Sequence, residues 1–128
     1  MEKFVEAQKD MYKVAYKEIK AGKKVSHWIW YIFPQLDGLI SNPSENTKYY
    51  SLTFEEAREF LNHKILGKRL RKLTKLLLKG NPKTIMGTDS GKLHSSMTLF
   101  NLIEPHTEFE KVLEYYNGPD KKTIALSH

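Results

Sequence analysis

Apolar residues recur at Phe4, Ala7, Met11, Ala15 and Ile19, with Tyr12 and Tyr16 beside them and Gln8 on the same stripe. Spacings of three and four place these side chains on one face of a helix over residues 3–21, and Gly22 supplies a stop. Farther on, Leu66, Leu70, Leu73 and Leu77 fall within about 60° of one another at 100° per residue, the mark of a second amphipathic helix. Leu93, Met97 and Phe100, with Leu99 and Ile103, define another that must finish before Pro105. Phe109, Val112, Leu113 and Tyr116 define a last one, ended by Gly118-Pro119.

Cap residues sharpen these boundaries. Thr53-Phe54-Glu55-Glu56 has the form of a capping box, in which the Thr hydroxyl and the Glu carboxylate each satisfy a backbone N–H of the helix start. That helix should run to about Asn62, with His63 or Gly67 marking a break before the leucine stripe. Thr107-Glu108-Phe109-Glu110 has the same form. Gly80 and Asn81-Pro82 end the leucine helix and begin a short helical turn through Ile85. Ile124 and Leu126 are expected to pack the tail onto the body.

Between the first two helices lies Ser26-His27-Trp28-Ile29-Trp30-Tyr31-Ile32-Phe33-Pro34-Gln35, which holds both tryptophans. Its composition suits a strand, yet nothing else in the chain pairs with it convincingly. A short helix from His27 to about Ile32, with Ser26 as N-cap and Pro34 as terminator, is the better reading. Aromatics carry the most buried area, so this block is expected at the centre of the core. From Gln35 to Ser51, Asp37-Gly38 and Asn42-Pro43-Ser44 read as a long loop, and Gly87 to Gly91 as another. The pattern as a whole predicts an all-α, compact single-domain bundle of about five to seven helices.

Composition narrows the setting. At 128 residues the chain is long enough for one core, and 40% hydrophobic residues with 12% aromatics can fill it. No apolar run approaches the roughly 20 residues of a membrane span, and no signal-type apolar block opens the chain. Cysteine is absent, which removes disulfide and thiolate chemistry and fits a cytoplasmic protein. The net charge of +6 favours anionic partners.

That charge is one-sided. Lys64, Lys68, Arg69, Arg71, Lys72, Lys75, Lys79 and Lys83 follow one another with no carboxylate between Phe60 and Asp89. Lys64, Lys68, Lys72, Lys75 and Lys79 lie opposite the leucine stripe and read first as a solvated face. The second reading is a basic surface for an acidic protein or a nucleic acid. No aromatics are interleaved with these lysines in sequence, which argues against single-stranded nucleic acid. The five histidines, His27, His63, His94, His106 and His128, show no zinc spacing, so neither a metal nor a cofactor is expected.

Candidate chemistry sits in polar residues embedded in apolar stretches. His27, beside two tryptophans, reads as a hydrogen-bonded structural histidine or as an acid, base or ligand. Lys92-Leu93-His94-Ser95-Ser96-Met97-Thr98 places a lysine and hydroxyls in the first turns of a helix, where free N–H groups attract anions. The plainer alternative has Ser90 capping that helix and Ser95 or Ser96 serving as small packing residues. Neither a nucleophile elbow nor a Walker loop is present.

The motifs Phe4-x-x-Ala7-Gln8, Ser26-His27-Trp28-x-Trp30-x-Ile32-Phe33-Pro34-Gln35-x-x-Gly38-Leu39, Leu66-Gly67-x-Arg69-Leu70 and Lys92-Leu93-x-Ser95-Ser96-Met97-Thr98-Leu99-Phe100 resemble the domain-of-unknown-function family numbered 1810. The resemblance spans nearly the whole chain and implies a mainly helical domain with no established activity. The chain departs from the family pattern at Ile40, Lys64 and Met86, where Gly, Pro and Phe are usual. Some bacterial members carry the label calpastatin, an inhibitor that is a disordered repeat protein, unlike this chain. A shorter likeness, Phe4-x-x-Ala7-Gln8-Lys9, is to the opening helix of the YbiA-like family linked to ADP-ribose and N-glycosidic chemistry.

Taken together, Gln8, Ser26, Gln35, Ser95, Ser96 and Thr98, with His27 and Lys92 as candidate catalytic groups, are expected to converge on a cleft walled by Trp28 and Trp30. Its ligand would be small, polar and anionic with a planar ring, such as a nucleotide derivative. The competing readings are a non-catalytic adaptor using the basic helix, and a hydrogen-bonded core with no ligand.

Overall fold

In the computed structural model, which describes residues 1–127, the chain is all-α as its patterning predicts. The α-helices among the described residues are α1 (Glu2–Ala21), α2 (Ile29–Ile32), α3 (Glu45–Tyr50), α4 (Phe54–Asn62), α5 (Leu66–Leu77), α6 (Pro82–Met86), α7 (Ser90–Ile103), α8 (Glu108–Glu114) and α9 (Lys121–Leu126). The five longest are α1, α5, α7 and α8, which the apolar periodicity marks, and α4, which the Thr53–Glu56 capping box marks. The additional elements are of one or two turns, too short for periodicity to register.

Helix α7 forms the centre, packed by α4, α6, α8 and α9, while α5 lies across α1, α4 and α8. Its Leu93, Met97, Leu99 and Phe100 are all buried, so it is apolar around most of its girth, as an internal helix must be. Four phenylalanines link the helices in series: Phe4 of α1 meets Phe60 of α4 edge-on at 5.1 Å, Phe60 meets Phe100 of α7 at 5.6 Å, and Phe100 meets Phe109 of α8 at 6.0 Å. Such pairs contribute about 0.5–1.5 kcal/mol each beyond area burial. The tryptophan block joins the same core through Trp28, Ile29, Ile32 and Phe33, but as one wall rather than its axis.

Local chemistry explains the boundaries. Gly22 ends α1 at φ 90°, and its N–H donates to Ile19 O. Thr53 and Glu56 form the expected reciprocal box at the start of α4. The ring of His63 caps α5, its Nδ1 accepting from the N–H groups of Ile65 and Leu66 at 3.1 and 3.2 Å. Gly67 is required there, because a Cβ would stand 2.0 Å from the Leu61 carbonyl oxygen. Asn81 caps α6 with Pro82 at its first turn.

Several expectations are corrected. Helix α2 begins at Ile29 with no side-chain cap, because the Ser26 hydroxyl is bonded elsewhere. The stretch from Gln35 to Ser51 is not all loop, since Ser44 accepts from the Thr47 N–H and starts α3. Gly87–Asp89 is a 3-10 turn running directly into α7. Thr107 forms no capping box, its hydroxyl donating instead to Glu104 O. At the tail Thr123 is the buried anchor and Leu126 stays exposed.

Candidate functional site

Where α1 gives way to the tryptophan block, one carboxylate organises the crossing. Glu18 accepts from the N–H groups of Val25 and Ser26 at 2.8 Å each, from the Ser26 hydroxyl at 2.6 Å and from the Trp28 indole N–H at 2.9 Å. Burial alone would raise its pKa, but these four donors outweigh burial and hold it at about 2. Beside it, Lys24 lies over the Trp28 ring at 4.8 Å, donates to Ser26 O at 2.6 Å and pairs with Asp89 at 2.7 Å. Gln8, buried in α1, donates to Tyr31 O at 2.8 Å and accepts from Arg69 at 3.4 Å. Gln8, Ser26 and Trp28 are therefore bonded into the scaffold, and Trp28, fully buried, walls no opening.

A second set of ties holds the C-terminal segment against α7. Thr98 donates to His94 O and accepts from the Asp120 N–H, both at 2.8 Å. Asp120 takes the Thr123 hydroxyl at 2.6 Å and the Ser95 hydroxyl at 3.3 Å. His94 stacks on Tyr116 at 4.2 Å and donates from Nε2 to Gly118 O at 2.9 Å. Ser96 is fully buried, and its hydroxyl has no partner.

Three of the expected residues do meet. Gln35, Lys92 and Ser95 line one open hollow of about 310 Å³, with Thr88, Gly91, Asp120 and Lys122 completing its polar wall. Gln35 is only 8% exposed, and its side-chain amide bonds to no described protein group, which leaves its donors and acceptor facing the hollow. His27 and Trp30 line a neighbouring hollow of about 460 Å³ that shares Thr88. The Trp30 indole N–H is shielded and unpartnered.

Between the two hollows runs Lys24–Asp89–Lys92, with Asp89 Oδ1 3.7 Å from Lys92 Nζ. Asp89 is thus flanked by two cations. It occupies the N-cap position of α7 without a side-chain cap bond. The 3-10 turn extends this helix backwards, and the Ser90 N–H donates to Gly87 O. The cations at this end of α7 are Lys92 and Lys122, both on the wall of the first hollow.

The lysine face divides. Arg71 turns inward to a two-point pair with Glu104, at 3.2 and 2.8 Å. Arg69 lies over Tyr12 at 4.8 Å. Lys64, Lys68, Lys72, Lys75 and Lys79 remain exposed. Among the described residues no group of three or more His, Asp or Glu side chains is placed to hold a metal. His128 lies outside them. No described helix is long and apolar enough to cross a membrane.

Glu18, Lys24, Asp89, Asp120 and Lys122 were not predicted as site residues. Glu18 had a signal: it stands in the last turn of α1, where the helix dipole disfavours a carboxylate. An acid retained there needs donors from outside its own helix. The remaining four gain their meaning only from segments brought together in space.

Compared with known families, the chain matches the one described as "Protein of unknown function (DUF1810)" over residues 1–127. Among solved structures it is similar to the conserved hypothetical protein Rv1873 from Mycobacterium tuberculosis, with 39% identity and a TM-score of 0.89. That similarity covers 98% of this chain and 94% of the other. No curated protein matches.

Proposed function

The chain belongs to the DUF1810 family, which carries no assigned activity, and from that premise we propose that it binds a small anionic, nucleotide-like ligand at the entrance to α7. The observation that carries the reading is Gln35: a nearly buried residue whose amide bonds to no protein group and opens on a hollow lined also by Lys92, Lys122, Ser95 and Asp120. An amide served there by solvent alone, beside two cations, suits an incoming acceptor that displaces the water. Lys92 and Lys122 would neutralise a phosphate or carboxylate, with Gln35 and Ser95 fixing its orientation.

A planar ring would reach past Thr88 into the neighbouring hollow, against Trp30. His27 stands on the wall of that hollow as the group available to exchange a proton. Binding is the claim, and no reaction is assigned. A thermal-shift panel of nucleotides, NAD and ADP-ribose tests it. At least one member should raise the midpoint of the wild-type protein and leave Lys92→Ala unmoved. A panel with no stabilising member at millimolar concentration removes the reading.

A further inference from the structure

A second surface is independent of that hollow. Helices α1 and α5 run side by side, and their outer seam carries two joined depressions of about 260 and 400 Å³ that share Tyr16. The floor is aromatic and aliphatic: Tyr12 and Tyr16, then Ile19, Leu76 and Ile85. Lys13, Lys17 and Lys20 stand along one rim and Lys72 and Lys79 along the other, and no acidic side chain lines either depression. The tyrosines missing among the α5 lysines in sequence are therefore supplied by the neighbouring helix.

We propose that this trough binds single-stranded nucleic acid, with bases on the Tyr12–Tyr16 floor and phosphates on the lysine rims. From Tyr12 to Gly22 the trough follows α1 for about 15 Å, at 1.5 Å per residue, room for a short run of nucleotides. A sequence-tolerant strand needs π-faces to stack on and cations to track its backbone. Arg69 lies over one face of Tyr12 at 4.8 Å and Lys72 over one face of Tyr16 at 5.6 Å, so a base stacks on the opposite face or displaces the cation toward its phosphate. An acidic peptide fits less well. Both walls are helices whose backbone groups are internally bonded, so no free edge exists for a peptide strand to pair with. A duplex keeps its bases stacked inside and would leave the aromatic floor unused.

The test is fluorescence anisotropy with a labelled thymidine oligomer of about ten nucleotides at roughly 50 mM salt. Binding should weaken with salt at a log–log slope of about −2 to −3, as expected for three or four neutralised phosphates. Lys17→Glu with Lys72→Glu, both exposed positions, should weaken it at least tenfold. Tyr16→Leu keeps an apolar side chain in the seam and should weaken it about five- to a hundredfold, the range for one lost stacking platform. Should Tyr16→Leu unfold, ultraviolet crosslinking of a 5-bromouridine oligomer to the wild-type protein must map to the Tyr12–Lys17 segment. Absence of binding overturns the proposal. So does tighter binding of a duplex, equal competition by a polyglutamate peptide, indifference to the lysine pair or to Tyr16→Leu, or crosslinks that map elsewhere.

Discussion

The α1–α2 junction and the entrance to α7 are built from the same kinds of residue and end in opposite states. Each sets polar side chains among aromatics and aliphatics, and each brings charged groups close to the core. At the junction the polar demand closes, with four donors converging on Glu18. At the entrance it stays open: the Gln35 amide bonds to no protein group and faces the hollow, and Lys92 stands a loose 3.7 Å from Asp89. A polar residue inside an apolar motif thus reports that the position is buried or nearly so. Hydrogen-bonding capacity that opens on a hollow, unlike that of the sealed Ser96 hydroxyl, is what distinguishes the entrance from the junction.

The largest expected effect lies on the closed side. Glu18→Ala strands the Trp28 indole N–H and releases the connecting segment at Val25 and Ser26, a loss of about 2–4 kcal/mol in urea unfolding. A loss under about 1 kcal/mol would mean water serves those donors equally well and the junction is not closed. The same carboxylate sets an acid limb. Its pKa falls from an ordinary 4.5 to about 2 on folding, so the unfolded chain binds the proton more readily. The stabilisation is fully present above the unfolded value and drains away as pH falls through about 2. Across that window the wild-type stability should drop more steeply than that of Glu18→Gln.

On the open side the effect should be small. Gln35→Leu removes an amide that bonds to no protein group, so stability should stay within about 0.5 kcal/mol of wild type or rise slightly. A loss above about 1.5 kcal/mol would place Gln35 among the structural residues and erase the contrast.

How much of this could be read from the chain follows from what periodicity measures. It reports which face of a helix is buried, and so it marks α1, α5 and α7 through their apolar positions. Cap chemistry is local, and Thr53 and Asn81 could be placed for that reason. The Ser44 cap is equally local, but α3 has only six residues and one buried side chain, the polar Thr47, too little apolar pattern to betray it. Ser26 misled because its hydroxyl had two potential partners, and the distant carboxylate prevailed over the adjacent helix end. The hollow draws on the segment after α2, the first turns of α7 and the approach to α9. Tyr12 and Tyr16 likewise reach the α5 lysines only across a helix interface. Neither constellation has a signature in any one stretch.

Two-dimensional ¹H–¹⁵N spectra recorded while ADP is added compare the two regions in one experiment. The side-chain amide signals of Gln35 should move with saturable dependence on ligand, while the Trp28 indole signal, held by Glu18, stays in place. Gln35 signals that do not respond, or a Trp28 signal that moves as far as they do, would contradict the division into a closed junction and an open hollow.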